Sequence, residues 1–312
     1  MSKKYYVENL SIETLAELTD EMLRFRKNAE NRKLNLNFLK IIRTVATILL
    51  VIGLGSVIGM FNIDNFFNAG SNASEKIPEY IVIKGEHYST ELTELELNSA
   101  NLTDADIQSL RYMVNLTELN LWSNQISDLS PLAGLTNLTV VSLGDNQISD
   151  ITPLAGLTNL AHLSLTSNAQ ISDISALAGL TNLTHLYLMG NQISDITPLA
   201  GLTNLIQLDL WGSQINDLSP LAGLKNLTFL GLANTQISDI SVLIELKNLT
   251  NLTQLDLRNN QISQIISDIS PLAELTNLMI LYLSGNPLLS SEQIEALKEA
   301  LPNIHIVTQY AD

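Results

Sequence analysis

Histidine and carboxylate side chains are the groups in this sequence that could hold a metal ion. The chain has four histidines and no cysteine, which excludes thiolate ligands, disulfides and cysteine nucleophiles. His162 and His185 occupy the same position in two successive units of a repeat, so they should lie about 5 Å apart on neighbouring strands. Two imidazoles can bind Zn²⁺ if a third ligand is near, and Asp209 is the nearest candidate. A plain surface pair is the simpler interpretation, so we predict neither a metal nor another cofactor.

Seven aspartates share one position of the same repeat. One interpretation is a ladder of cation sites, but one carboxylate per unit is far below the roughly six to eight oxygens that Ca²⁺ takes. The other interpretation, which we favour, is that each aspartate caps the turn or helix that follows it. The series comprises Asp128, Asp150, Asp173, Asp195, Asp217, Asp239 and Asp268.

Motifs of catalysis are missing from the sequence. It contains no phosphate-binding glycine-rich loop, no H-E-x-x-H and no G-x-S-x-G. Hydrolysis of a glycan would need two carboxylates with separated pKa values, such as Glu94 with Glu118, and we expect no enzymatic activity. The formal net charge of −16 also argues against a nucleic-acid partner, which requires a basic surface.

A repeat that fills most of the chain must position these residues. The strand-like unit L-x-x-L-x-L-x-x-N-x-I/L occurs nine times, and its starts are 22 to 26 residues apart. Its alternating leucines predict short parallel strands that bury one side. Because one unit cannot cover its own leucines, the units must stack around a continuous core. They start at Leu92, Leu116, Leu138, Leu160, Leu183, Leu205, Leu227, Leu252 and Leu278.

The segments between the strands repeat as Q-I-S-D-I-T/S-P-L-A-G-L-T-N. A hydroxyl residue at the N-cap followed by proline at the first helical position, as in Thr152-Pro153, predicts a short 3₁₀ helix. The asparagine after each strand should satisfy backbone groups at the bend and stack into a hydrogen-bonded ladder. Ala100, Ser213 and Thr235 interrupt that series.

Strand residues between the leucines should point away from the core. These positions differ from unit to unit while the framework stays the same, and both tryptophans of the chain lie among them. Exposed aromatics are typical anchors of recognition, although neighbouring aromatics could also merely cover the strands. The acidic residues of the first units favour a basic patch on a partner. The predicted binding residues are Trp122, Tyr187, Met189, Trp211, Phe229, Tyr282, Glu94, Glu118, Asp209 and Arg258.

An uncharged apolar segment, from Thr44 to Phe61, precedes the repeats. About 20 apolar residues cross a bilayer, so we predict a single transmembrane helix here. Residues 1–43 hold nine basic and six acidic residues, whereas residues 62–312 hold seven and 26, which predicts a cytoplasmic N-terminus and an extracellular repeat domain. A cleaved signal peptide and a buried core helix are the alternatives. Gly55 and Gly59 have the spacing of a helix-pairing motif and could support a homodimer, although glycine is common in membrane helices.

The C-terminal end predicts a cap for the stack. Ser290 or Ser291, with Gln293 or Glu295, would form the capping box of a last helix. The whole chain then divides into a cytoplasmic segment (1–43), a transmembrane helix (44–61), a linker (62–79), an N-terminal cap (80–91), nine repeats (92–289) and a C-terminal cap (290–312).

Two units, LTNLTVVSLGDNQISDITPLAG (135–156) and LTNLTHLYLMGNQISDITPLAG (180–201), resemble the leucine-rich repeats of the internalin family of bacterial surface proteins. The resemblance extends over about residues 92–288. It implies an α/β solenoid, curved and right-handed, with a parallel sheet on the concave side and short helices on the convex side. It also implies that a ligand binds to the concave face. The chain departs from the family in showing no helical N-terminal cap, no cell-wall sorting motif and no immunoglobulin-like or wall-binding module after the repeats, and in having its predicted anchor at the N-terminus. Host invasion, which is known for some internalins, therefore does not carry over.

These observations predict a membrane-anchored, extracellular leucine-rich repeat protein that binds a protein or glycan partner through its concave face. The alternative is an intracellular adaptor similar to the regulatory subunits of protein phosphatases that contain 22-residue repeats. A solenoid that serves only as a spacer is a further alternative.

Overall fold

The computed structural model describes residues 77–237, 240–262, 272 and 275–308. The described residues, all of them from Ile77 onward, belong to one compact unit. The predicted segments 1–43 and 44–61, most of the predicted linker 62–79, and the glycine pair Gly55 and Gly59 lie outside the described residues.

A β-hairpin begins the described unit. Strand β1 (Tyr80–Ile83) pairs antiparallel with strand β2 (Glu86–Ser89). Lys84 and Gly85 form the turn with φ values of 52° and 89°, the left-handed backbone that a tight two-residue hairpin turn requires. Ile81 and Ile83 are buried against the repeats, so the hairpin closes the apolar core at this end.

The repeats build a single parallel sheet, in which ten strands of the described residues follow one another in chain order. The middle residue of each strand points into the core, as Leu119 does between Leu95 and Val141 of the neighbouring strands. The parallel sheet predicted from the leucine spacing is therefore confirmed. The strands are β3 (Glu94–Glu96), β4 (Glu118–Asn120), β5 (Val140–Ser142), β6 (His162–Ser164), β7 (His185–Tyr187), β8 (Gln207–Asp209), β9 (Phe229–Gly231), β10 (Gln254–Asp256), β11 (Ile280–Tyr282) and β12 (His305–Val307).

Short 3₁₀ helices return the chain to the sheet, as the sequence predicted. They are η1 (Gln108–Tyr112), η2 (Ser130–Leu132), η3 (Thr152–Gly156), η4 (Ser175–Leu177), η5 (Thr197–Leu199), η6 (Ser219–Leu221) and η7 (Ile240–Asn248). The predicted N-cap was wrong by one residue. In η3 the N-cap is Ile151, and Thr152 is already helical and makes no capping bond.

In η2 to η6 the aspartate two residues before the helix supplies the cap instead. Asp150 Oδ1 accepts hydrogen bonds from Thr152 N at 2.8 Å and from Thr152 Oγ1 at 2.7 Å. The capping interpretation is thus confirmed for the aspartates that lie in the described part of the chain, whereas Asp239 and Asp268 fall outside it. The same backbone bond is accepted by Asp128, Asp173, Asp195 and Asp217.

The buried asparagines form a ladder, but its bonds run from side chain to backbone. Asn146 Nδ2 donates to Leu143 O of its own turn and to Leu121 O of the preceding turn, both at 3.0 Å. Asn146 Oδ1 accepts from Ile126 N of the preceding turn at 3.0 Å. Each such asparagine therefore fastens one turn to the turn before it, which satisfies buried backbone groups at the bend.

A helix and the last strand cover the core at the other end. Helix α1 (Ser291–Ala300) begins with a capping box, in which Gln293 N donates to Ser290 Oγ at 3.3 Å and Ser290 N donates to Gln293 Oε1 at 2.7 Å. This confirms the predicted box and selects Ser290 over Ser291 and Gln293 over Glu295. Leu297 on this helix is fully buried, and strand β12 completes the sheet.

The predicted fold class needs one correction, which concerns the transmembrane helix ahead of the solenoid. In the ranges that the structure describes, no helix is long and apolar enough to cross a bilayer. The helices of the repeats are short because each repeat must return the chain to the sheet before the next strand begins. Helix α1, which follows the repeats, has only 10 residues. The segment 44–61 itself is outside the described residues.

Candidate functional site

The outward side of the parallel sheet is the candidate site. We call it the sheet face, and it consists of the first and third residues of each strand together with the residue two positions after the strand. It corresponds to the concave face predicted above. All ten predicted binding residues lie on it and are exposed or half-buried, since the leucines between them point into the core.

The sheet face begins with an acidic pair and a tryptophan. Glu94 and Glu118 are in register on β3 and β4, and both side chains are exposed. Trp122 follows β4, and its side chain is 36% exposed. Its indole lies across Gly144 of the next repeat, where an added Cβ would overlap three ring atoms. The absence of a side chain at residue 144 therefore fixes how this tryptophan is presented.

At the third strand position and two residues beyond it, small residues separate this first group from the second. Ser142 and Ser164 end strands β5 and β6, and Thr166 follows as a buried residue. Trp122 and Trp211 follow β4 and β8, which are four strands apart, or roughly 19 Å at the usual strand spacing. The two tryptophans are thus separate anchors along one surface rather than one aromatic cluster.

The second group surrounds Asp209 on β8. Trp211 N donates to Asp209 Oδ1 at 3.0 Å, and the Trp211 side chain is 40% exposed. Tyr187 Oη donates to Gln207 Oε1 at 2.7 Å. Burial, and next the negative charge of Asp209, raise the pKa of Tyr187. Met189, which follows β7, and Phe229 on β9 are half-buried to either side of β8.

Burial also raises the pKa of the Asp209 carboxyl. The backbone hydrogen bond from Trp211 acts against this shift, whereas the negative charge of Asp256 adds to it. The positive charge of Arg258 acts in the lowering direction, but the net direction is upward. Asp209 is therefore a carboxylate whose charged form is incompletely stabilised in the unbound protein.

The C-terminal part of the sheet face holds an internal ion pair. Arg258 Nε donates to both carboxylate oxygens of Asp256, at 2.9 and 3.0 Å, and Arg258 Nη2 lies 2.5 Å from Asp256 Oδ2. The Arg258 Cζ atom lies 5.3 Å from the centre of the Tyr282 ring, within the range of a cation–π contact. Asp256, Gln207 and Gly144 escaped the sequence prediction, although the related strings L-D-L-W (208–211) and L-D-L-R (255–258) could have indicated Asp256.

The two histidines of the predicted pair do meet on the sheet face. His162 and His185 are in register on β6 and β7, and their ring centres lie 4.2 Å apart. Thr184 Oγ1 lies 2.9 Å from His185 Nδ1, and burial, followed by the charge of His162, lowers the pKa of His185. Among the described residues, no three histidine, aspartate or glutamate side chains come together as a metal-binding group. Asp209 is thus not brought to the histidines as a third ligand.

Comparison with known proteins identifies the repeat. A profile described as Leucine Rich repeats (2 copies) matches residues 136–179, 181–223 and 225–266, and a profile described as Leucine rich repeat matches residues 90–148. A crystal structure of internalin C2 from Listeria monocytogenes is 42% identical with a TM-score of 0.58, and the match covers 64% of this chain and 86% of that chain. The chain belongs to the internalin family of leucine-rich repeat proteins.

A second internalin structure supports the same assignment. Internalin F from Listeria monocytogenes is 31% identical with a TM-score of 0.57, and the match covers 72% of this chain and 70% of that chain. The search of curated proteins gave no match. Leucine-rich repeat domains generally bind protein partners on the long surface that their stacked strands create.

Proposed function

We propose that this internalin-like domain binds a protein partner through its sheet face, with Trp122 and Trp211 as the anchors. The observation that carries the proposal is the presentation of these two indoles, which are 36% and 40% exposed, whereas the other aromatic residues of the sheet face, Tyr187, Phe229 and Tyr282, are half-buried. Tryptophan is one of the three residue types enriched among interface hot spots, with tyrosine and arginine. Contact with Gly144 positions the Trp122 indole before a partner arrives, and the bond from Trp211 N orients the Asp209 carboxylate beside the second tryptophan.

The spacing of the anchors favours a macromolecular partner. Four strands separate the two tryptophans, so one ligand must extend roughly 19 Å to contact both. A protein interface of ordinary size covers about 800 Å² on each partner and easily spans this distance. A glycan partner is the alternative, and it would give no protein adduct in the experiment below.

Photo-crosslinking from the sheet face tests this function. Benzoylphenylalanine would replace Glu118 or His162, which are exposed residues of β4 and β6. As a control it would replace Ala200, an exposed residue that follows η5 on the other side of the repeats. We expect one protein adduct from both sheet-face positions and none from residue 200. Adducts from residue 200 alone would contradict the proposal.

We propose further that the repeat domain acts outside the cell. The support is the charge distribution of the sequence, in which the basic residues concentrate in the first 43 residues and the repeats are strongly acidic. Protease treatment of intact cells tests the location with a C-terminal tag on the chain. Loss of the tag supports an extracellular repeat domain, whereas a tag protected until lysis would favour the intracellular adaptor.

A further inference from the structure

Two repeats have an aspartate at the same strand position, but they differ in the residue that follows two positions later and contacts the carboxylate. In the string L-D-L-R, the buried Asp256 accepts three hydrogen bonds from the guanidinium of Arg258. The guanidinium also lies against the ring of Tyr282. The chain thus builds one complete cation site, with a carboxylate and an aromatic ring, from its own residues.

In the string L-D-L-W, a tryptophan takes the place of the arginine. Asp209 has the register position of Asp256, since both pair with Gly231 from opposite sides. The Asp209 carboxylate lies across Gly231, where an added Cβ would overlap it. It accepts a hydrogen bond from Trp211 N, and burial raises its pKa. The carboxylate and the exposed ring are present here, but residue 211 is a tryptophan and supplies no cation. The charge of Arg258 also acts on Asp209, yet the net shift of the Asp209 pKa is upward.

We propose that Asp209 and Trp211 receive a lysine or arginine side chain of the protein partner. The inference rests on the proposed function, because it assigns a chemistry to the second anchor of the sheet face. A cation within about 6 Å of an indole face gains cation–π attraction, and a neighbouring carboxylate adds a charge-assisted hydrogen bond. The arrangement of Arg258, Asp256 and Tyr282 shows that this sheet accommodates such a combination.

The charge of the rest of the surface fits a basic partner. The sheet face also presents Glu94, Glu96 and Glu118, all exposed, and the whole chain has a formal net charge of −16. Complementary charge speeds encounter and selects against acidic partners. The expected partner is therefore a protein with a basic surface patch, one side chain of which enters the site at Asp209.

The experiment uses the full-length chain with Trp122→Phe, so that Trp211 is its single tryptophan. Its fluorescence is titrated with an N-acetylated, C-amidated Gly-Arg-Gly peptide and with the same peptide containing citrulline, which keeps the shape of arginine but lacks its charge. We expect a saturable change with the arginine peptide and about tenfold weaker binding of the citrulline peptide. Equal responses to both peptides would overturn the proposal.

Asp209→Asn is the matched variant, because the chain already contains an asparagine that makes the same backbone hydrogen bond. Asn120 precedes Trp122 as Asp209 precedes Trp211, and Trp122 N donates to Asn120 Oδ1 at 3.0 Å. The variant should therefore fold normally, which its melting temperature checks, while its binding of the arginine peptide weakens about tenfold. Unchanged binding by the folded variant would refute the role of Asp209. If the folded Asp209→Asn variant binds the peptide as before and still gives the sheet-face crosslinks, only this inference fails. If the protein that retains Asp209 gives no sheet-face crosslinks, the proposed function itself is contradicted.

Discussion

The indole of Trp122 lies so close over Gly144 of the next repeat that any side chain at residue 144 would displace the indole. The contact crosses from one turn of the solenoid to the next, so the framework of one repeat sets the orientation of the binding residue of another. Gly144 does not have the left-handed backbone that would itself demand glycine, which means that the indole is the reason for the small residue.

We predict that Gly144→Ala displaces the Trp122 ring and weakens the partner without unfolding the protein. The atoms in the way belong to the outer end of an exposed side chain, so the cost to stability should be roughly 1 kcal/mol or less. Acrylamide quenching in a Trp211→Phe background would report increased exposure of Trp122. If Trp122 is quenched equally in the proteins with Gly144 and with Gly144→Ala, the ring is not held by this contact.

A core substitution in the same repeat should behave in the opposite way. Leu143 is fully buried between neighbouring turns, so Leu143→Ala should lower the free energy of unfolding by about 2–5 kcal/mol. Urea denaturation followed by circular dichroism measures this loss. Thr136→Ala, at an exposed position of the same repeat, should change stability by under about 0.5 kcal/mol and serves as the control.

The aspartate caps predict a dependence of stability on acid. Hydrogen bonds from the side chain and backbone of Thr197 lower the pKa of Asp195 below its ordinary value of 3.8. The ionised Asp195 therefore stabilises the folded state fully at pH values above the pKa that it has in the unfolded chain. This stabilisation is lost as the pH falls through the lower pKa that it has in the folded protein. Asp195→Ala should lower the melting temperature at pH 7, and the difference should shrink below pH 3.8.

Asp195→Asn provides the matched control for that experiment. The amide keeps an oxygen that can accept the bond from Thr197 N but removes the charge. Its melting temperature at neutral pH should fall between those of the alanine variant and the unsubstituted chain. The capping role would be contradicted if the melting temperatures of the alanine variant and the unsubstituted chain differed by the same amount at every pH down to 2.

The histidine pair predicts a second, milder pH dependence. Burial, and next the charge of His162, lower the pKa of His185 below 6.5, so protonation of His185 is less favourable in the folded protein than in the unfolded chain. The stability of the folded state is therefore unaffected by His185 above pH 6.5 and decreases as the pH falls below it. His185→Gln should therefore flatten the decline in melting temperature between pH 7 and pH 5. His305→Gln, on the exposed start of β12, should leave that decline unchanged. Parallel declines in all three proteins would exclude the pair as the cause.

The sequence predicted the sheet, the 3₁₀ helices and the aspartate caps because each depends on a residue type at a fixed place in the repeat. Leucine spacing determines which side of a strand is buried, and Leu119 or Leu208 could be placed without coordinates. The exact N-cap could not be placed, since both Asp150 and Thr152 can cap a helix and only the backbone conformation decides between them.

The finer features of the sheet face depend on how side chains lean across strands, which the repeat pattern does not specify. Leaning toward the next strand brings Trp122 over Gly144 and Asp209 over Gly231. The buried Asp256 was missed for a related reason, because an outward strand position is normally exposed and only its pairing with Arg258 permits burial. The transmembrane helix was inferred from apolar length alone, and the described residues contain no such helix.

The central claim is that the two tryptophans of the sheet face anchor a protein partner, and the affinity of tryptophan variants for the crosslinked partner tests it most directly. Trp122→Ala and Trp211→Ala should each weaken binding by about 2 kcal/mol or more, while the melting temperature stays nearly unchanged. Ile206→Ala is the control, because Ile206 is also 36% exposed but lies outside the sheet face. Equal affinity in all three variants would contradict the proposed binding surface, and unfolding of the tryptophan variants would show that these side chains serve the fold instead.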